Sequence, residues 1–185
     1  MAVATKIVLQ DLLALTQNNL RSAEHFQKAS IDSLNWKQNS ESWSVLECIE
    51  HLNRYGDFYI PEINDKISKA KHNRSETFNS NWLGSYFSKS VAYNDQLKKM
   101  KTFASMNPLN SDLDMQTLEK FIKQQHQIMA LLERSKTVNL DKTKTAISIT
   151  KLVKLRLGDT FRVLIHHNDR HIKQAEKTWK AAKNQ

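Results

Sequence analysis

A chain of 185 residues, 39% hydrophobic and 25% charged, is long enough to bury one core, and three glycines and two prolines leave too few breaks for many short strands. Its single cysteine, Cys48, excludes an internal disulfide and suits a reducing compartment. The formal charge of +9 draws on residues 141–185, which hold 11 Lys/Arg against 4 Asp/Glu, but no basic block is interleaved with stacking aromatics, which argues against a nucleic-acid partner; attraction of an anionic small substrate fits the charge at least as well.

The N-terminus lacks a basic stretch followed by a long apolar run, so no signal peptide is expected. No window approaches the ~18 apolar residues of a membrane span, and a cytoplasmic protein is the default expectation. Residues 1–185 read as one domain.

The first predicted helix runs from about Thr5 to Ala29, with Val8, Leu12, Leu15, Leu20, Ala23 and Phe26 at near-helical spacing. A polar connection, Asp32 to Ser42, follows and contains Trp36. The second helix is the best marked. Ser44 and Glu47 stand three apart, as in a capping box, with Trp43 just outside. Val45, Cys48, Ile49, Leu52, Tyr59 and Ile63 continue its apolar face, and Pro61 is expected to kink or divide it.

Residues 72–110 carry many aromatics with weak periodicity. They read as a long connection holding a partial helix, Gly84 to Met100, and a turn from Met106. Trp82 and Tyr86 read as core residues, with a lid as the alternative. A third long helix spans about Asp112 to Ser135. Thr137 to Arg156 is rich in β-branched residues but has no evident partner strand, so a sheet is not expected. The fourth long helix starts near Gly158 or Asp159, either of which suits a cap, and ends near Ala182. Long helices with long connections predict an all-α four-helix bundle.

His167 and His171 are four apart on the fourth long helix, so both rings share one face, one turn apart. That spacing lets two imidazoles bind one metal ion. With His167 at zero, His171 falls at about 40° and Gln174 at about 340°, beside the apolar set Leu164, Ile172, Ala175 and Trp179 centred near 100°. His51 likewise borders the apolar face of the second helix, with Tyr55 and Phe58 close by. The spacing does not show whether these helices are neighbours. His166 lies about 100° off the face and is set aside. His25, His72 and His126 fit no motif.

Trp43-Ser-Val-Leu-Glu-Cys-Ile-Glu-His51-Leu resembles the W-S-x-x-[DE]-x-x-x-H-L signature of the DinB-like (YfiT-like) metalloprotein superfamily. Leu164-Ile-His-His-Asn-Asp-Arg-His171-Ile-Lys-Gln174 resembles its H-x-x-x-H-x-x-Q element. The resemblance implies an up-down-down-up four-helix bundle, often a homodimer. It also implies one divalent ion, nickel or zinc first, on His51, His167 and His171. Three protein ligands leave a coordination position open, as in catalytic rather than structural zinc sites. Relatives of this kind include thiol-dependent transferases. The expectation is therefore a metal-dependent, thiol S-transferase-like enzyme using a low-molecular-weight thiol; the alternative is a non-catalytic metal-binding or stress-response module. Gln174 reads either as a group orienting a ligand or as a polar residue at the bundle margin. Tyr55 is either a proton donor or a packing residue at the pocket rim. Cys48, one turn before His51, is either a fourth ligand or reactive thiol, or a small buried side chain, which is the commoner fate of a free cysteine.

Overall fold

The computed structural model describes residues 2–93 and 102–184. Four long helices, α1 (Thr5–Phe26), α3 (Val45–Ser68), α5 (Met115–Arg134) and α6 (Leu157–Ala182), form the bundle. Two short helices, α2 (Ile31–Asn35) and α4 (Trp82–Val91), lie in the connections. Strand β1 (Ala2–Ala4) pairs antiparallel with β2 (Thr77–Asn79), and β3 (Lys144–Ile147) pairs antiparallel with β4 (Thr150–Arg156). No helix among the described residues is long and apolar enough to cross a membrane.

Each of α1 and α3 packs against both α5 and α6. The side-chain pairs give the directions. Asn53 meets Thr117, Asp57 meets Lys120, and Asn64 meets Arg134, so α3 and α5 run parallel. Trp43 meets His171 and Tyr55 meets His167, so α3 and α6 run antiparallel. Ser22 meets Glu176 and Phe26 meets Trp179, so α1 and α6 are parallel. The order is up-down-down-up, as the resemblance implies.

The apolar interior is in two parts. Leu9, Leu12, Tyr59, Ile63, Ile128, Leu132, Phe161 and Leu164 belong to one; Ala23, Phe26, Cys48, Leu52, Leu118, Phe121, Ile172 and Trp179 belong to the other. Along every long helix a buried amide falls between them: Asn19, Asn53, Gln125 and Asn168.

Several expectations from the sequence are corrected. The segment from Thr137 to Arg156 does form a sheet, because β3 finds its partner in the next strand. That hairpin is not isolated: Thr145, Ile147 and Leu155 are buried against the bundle, which offsets the marginal stability of a two-stranded unit. The polar connection after α1 contains α2, capped by the Ser30 hydroxyl and pinned by fully buried Leu34. Pro61 does not divide α3, whose flanking Tyr59, Ile63 and Ile67 are all buried. Tertiary packing there outweighs the ~3 kcal/mol a helical proline typically costs. Trp82 and Tyr86 are not core residues: they are 80% and 64% exposed. The partial helix expected from Gly84 ends at Val91, and the part of that expectation beyond Tyr93 lies outside the described residues.

Neither Gly158 nor Asp159 caps α6; Arg156 occupies that place without a side-chain cap bond. Asp159 is instead fully buried, accepts from the Ser80 hydroxyl, and lies against Gly84 of α4. A Cβ at Gly84 would stand 2.1 Å from the Asp159 carboxylate. Gly84→Ala is therefore expected to destabilise the protein by about 2 kcal/mol, the usual cost of overpacking, as a lower urea midpoint with unchanged slope. An unchanged midpoint would mean that α4 docks less closely than described.

Candidate metal centre

The site is built at the start of α3. The Ser44 hydroxyl accepts from the Glu47 amide, and a Glu47 carboxylate oxygen accepts from the Ser44 amide at 2.9 Å, which completes the capping box expected from the sequence. Glu47 does more than cap. It is buried, and its other oxygen accepts from the Asn110 amide at 2.6 Å and from Lys37 Nζ at 2.9 Å. A buried carboxylate is tolerated only when paired and hydrogen-bonded, and here both conditions hold. Its partners anchor the loop after the 3-10 turn Ala104–Met106, at Asn110, which has φ 62.

That loop reaches back to His51. His51 Nδ1 lies 2.7 Å from the Met106 carbonyl oxygen. A carbonyl only accepts, so Nδ1 carries the proton and Nε2 keeps its lone pair. Arg54, one turn on, donates to the carbonyls of Ser105 and Asn107 at 3.3 and 2.9 Å, on either side of Met106. Its own Nε is held by Glu50 at 3.0 Å.

α6 supplies the other two rings. His171 Nδ1 lies 3.0 Å from Gln174 Oε1, so its proton is also directed away and Nε2 is left bare. His167 Nε2 is 3.3 Å from His51 Nε2. The three ring centroids lie 4.6 to 5.0 Å apart. One ring nitrogen from each histidine falls within 4.8 Å of the other two. Nitrogens bound at ~2.05 Å to a tetrahedral ion stand about 3.3 Å apart, so the donor set fits one divalent ion. Outer hydrogen bonds that fix tautomer and ring plane, as Met106 and Gln174 do here, are the usual companions of metal-binding histidines.

Burial also sets the charge of the rings. Desolvation pushes His51 down to about 4, partly opposed by the Met106 carbonyl. Desolvation pushes His171 down to about 3, with nearby His51 adding to it. His167 is held well below the usual histidine range by burial, then by His171 and His51. All three are therefore neutral at pH 7, the form a metal requires.

Trp43 covers the rings, 4.8 Å from His51 and 5.7 Å from His171. Tyr55 packs edge-on, 5.0 Å from His51 and 4.7 Å from His167, and burial raises its hydroxyl pKa. The rings open onto a cavity of about 920 Å³. Its walls include Tyr86 and Phe87 of α4, Leu155 of the hairpin, and Arg170 and Gln174 of α6.

The structure thus brings His51, His167, His171, Tyr55 and Gln174 together. It separates Cys48 from them. That thiol is fully buried with Phe26, Leu34 and Phe121, and burial pushes its pKa far up. His166 is not part of the group, and His25 instead packs on Trp179. Sequence reasoning missed the Met106 carbonyl, which has no side-chain signature, and the second duty of Glu47. Arg54 was detectable only as a helical neighbour, three residues after His51 and four after Glu50.

A four-helix bundle whose second and fourth long helices turn three neutral histidines toward one cavity defines a class of helical proteins with a metal-capable centre. A sequence profile of the DinB superfamily matches residues 13–175, from α1 through most of α6, and the chain belongs to that superfamily. No curated protein and no solved structure gives a significant match.

Two outcomes follow from this geometry. Arg54→Ala frees the Met106 segment and is expected to weaken divalent-metal affinity by roughly 10- to 100-fold in a chelator competition, the usual effect of losing an outer-shell partner. Affinity equal to the parent protein would dismiss the clamp. The second concerns pH. In the unfolded chain these histidines titrate near ~6.5, so below that pH the unfolded state binds more protons than the folded one. Metal-free protein should hold its full stability above about pH 6.5 and lose it as pH falls toward 4 and then 3. Denaturant midpoints at stepped pH test this, and His51→Ala should flatten the dependence.

Proposed function

We propose that His51, His167 and His171 hold one divalent ion and that the protein is a metal-dependent enzyme of the thiol S-transferase type. The observation that carries the metal part of this reading is the pair of Nδ1 contacts, His51 with the Met106 carbonyl and His171 with Gln174 Oε1; the thiol-transferase part rests on the superfamily. Met106 and Gln174 take the Nδ1 protons of His51 and His171, which leaves their Nε2 lone pairs bare beside His167. Three imidazoles do not complete the four-ligand shell of a structural zinc site, and the rings face the cavity. When bound, such an ion supplies a Lewis-acid position that lowers the pKa of a coordinated water or thiol.

The chain's own residues supply the rest. Tyr55, whose hydroxyl pKa burial raises above its ordinary value, offers a neutral O–H donor beside the rings. Arg170 on the cavity wall offers a fixed positive charge to an anionic substrate, and Tyr86 and Phe87 offer apolar surface. Trp43 lines the same cavity and packs its ring against His51 and His171.

Elemental analysis of protein purified without a histidine tag should find close to one divalent metal per chain, lost in both His51→Ala and His171→Ala. Full retention in both variants would sink the site. Metal-loaded protein should then consume a low-molecular-weight thiol in the presence of an electrophile, and the histidine variants should not. No turnover across a broad thiol panel, with metal bound, would replace the enzyme by a non-catalytic metal-binding module.

A further inference from the structure

The β3–β4 hairpin has a second face that the histidine cavity does not use. Side chains alternate along a strand, so Thr145, Ile147 and Leu155 point to the bundle while Lys144, Lys154 and Arg156 share the other face. On that face is a concavity of about 610 Å³, lined by His72, Asn81, Asp141, Lys142, Lys144, Lys154 and Arg156. It has no lining residue in common with the histidine cavity.

Its charges are poorly matched. Lys144 stands directly opposite Arg156 in the β3–β4 register, a like-charge pair that costs stability in an antiparallel sheet. The one carboxylate, Asp141, is already engaged: it accepts from the Asn79 amide at 3.0 Å and pairs with Arg156 at 3.2 Å. Arg156 also donates to the Asn79 carbonyl, so its guanidinium is fixed at the pocket wall. Lys142, Lys144 and Lys154 form no ion pair with any carboxylate among the described residues. Four cations around a concave site, one rigidly held and three unneutralised, match the multiple charges of clustered phosphate oxygens. The concave shape favours a compact ligand over an extended polymer backbone.

We propose that this pocket binds a small phosphorylated anion carrying at least two phosphate groups. The ligand relieves the repulsion between Lys144 and Arg156, and the inward face of the same hairpin walls the histidine cavity at Leu155 and Ile147. Binding here is independent of the metal reading.

Titration calorimetry of the full chain, stripped of metal so that the histidines cannot contribute, tests this with pyrophosphate and with ADP. Both should bind at low ionic strength, and the double variant Lys144→Gln/Lys154→Gln should weaken them by roughly tenfold or more, with unchanged helical content and undiminished metal uptake. Pyrophosphate alone binding would define a site for the phosphates only, still within the proposal. Absence of binding by either probe at millimolar concentration, or equal affinity in the double variant, would overturn it. So would a single-stranded oligonucleotide that binds more tightly than both probes and is lost in the same variant, since the surface would then serve a polymer.

Discussion

The hydrogen bond between His51 and the Met106 carbonyl is the constraint on which the centre depends. It decides which nitrogen of His51 holds the proton, and so which one faces His167 and His171. A backbone carbonyl can do this only if its loop is held still. Two α3 side chains hold it, Arg54 through the carbonyls flanking Met106 and Glu47 through the Asn110 amide. Glu47 is itself placed by the capping box that begins α3. The helix start, the loop and the histidine tautomer therefore form one connected structure, and loosening any part reaches the ring.

The location follows from the packing of the bundle. An apolar core that ran unbroken along all four long helices would bury the imidazoles among hydrocarbons. Here the core is interrupted midway, where each long helix contributes a buried amide, and His51 and His167 lie within two residues of Asn53 and Asn168. Buried polar groups cost stability unless paired, about 1–3 kcal/mol each when orphaned. The two full apolar clusters on either side supply the stability that lets this polar waist exist. The neutrality of the histidines belongs to the same balance: burial discourages their protonation, which suits a cation arriving from the cavity.

Much of this was legible in the sequence where side chains carry the signal. Apolar periodicity located the four long helices, Ser44 and Glu47 marked the start of α3, and the four-residue spacing put His167 and His171 on one face. What joined His51 to them was the family resemblance, since periodicity fixes a helix's phase but not its neighbour. The failures have physical causes too. The hairpin was missed because its pairing is between adjacent strands with a register shift at Ala146 and Ile147, which blurs alternation. Asp159 looks like a cap in sequence, yet tertiary contact with α4 claims its carboxylate. The Met106 carbonyl is a backbone group whose role no residue type announces.

The hairpin also changes how the basic charge is understood. Counted along the chain, the excess of Lys and Arg toward the C-terminus looks like a diffuse solvated surface. Folded, strand alternation sorts it, turning Leu155 inward to the histidine cavity and Lys154 and Arg156 outward around a separate hollow. Strand geometry thus makes one short element the shared wall of two chemically unlike sites, one holding the imidazoles and aromatics and the other holding Arg156 with three lysines that form no ion pair among the described residues. A β-hairpin is suited to this role because its period of two separates its faces completely, whereas a helix spreads its side chains around a cylinder. Any shift of the hairpin against α6 would be felt on both sides at once.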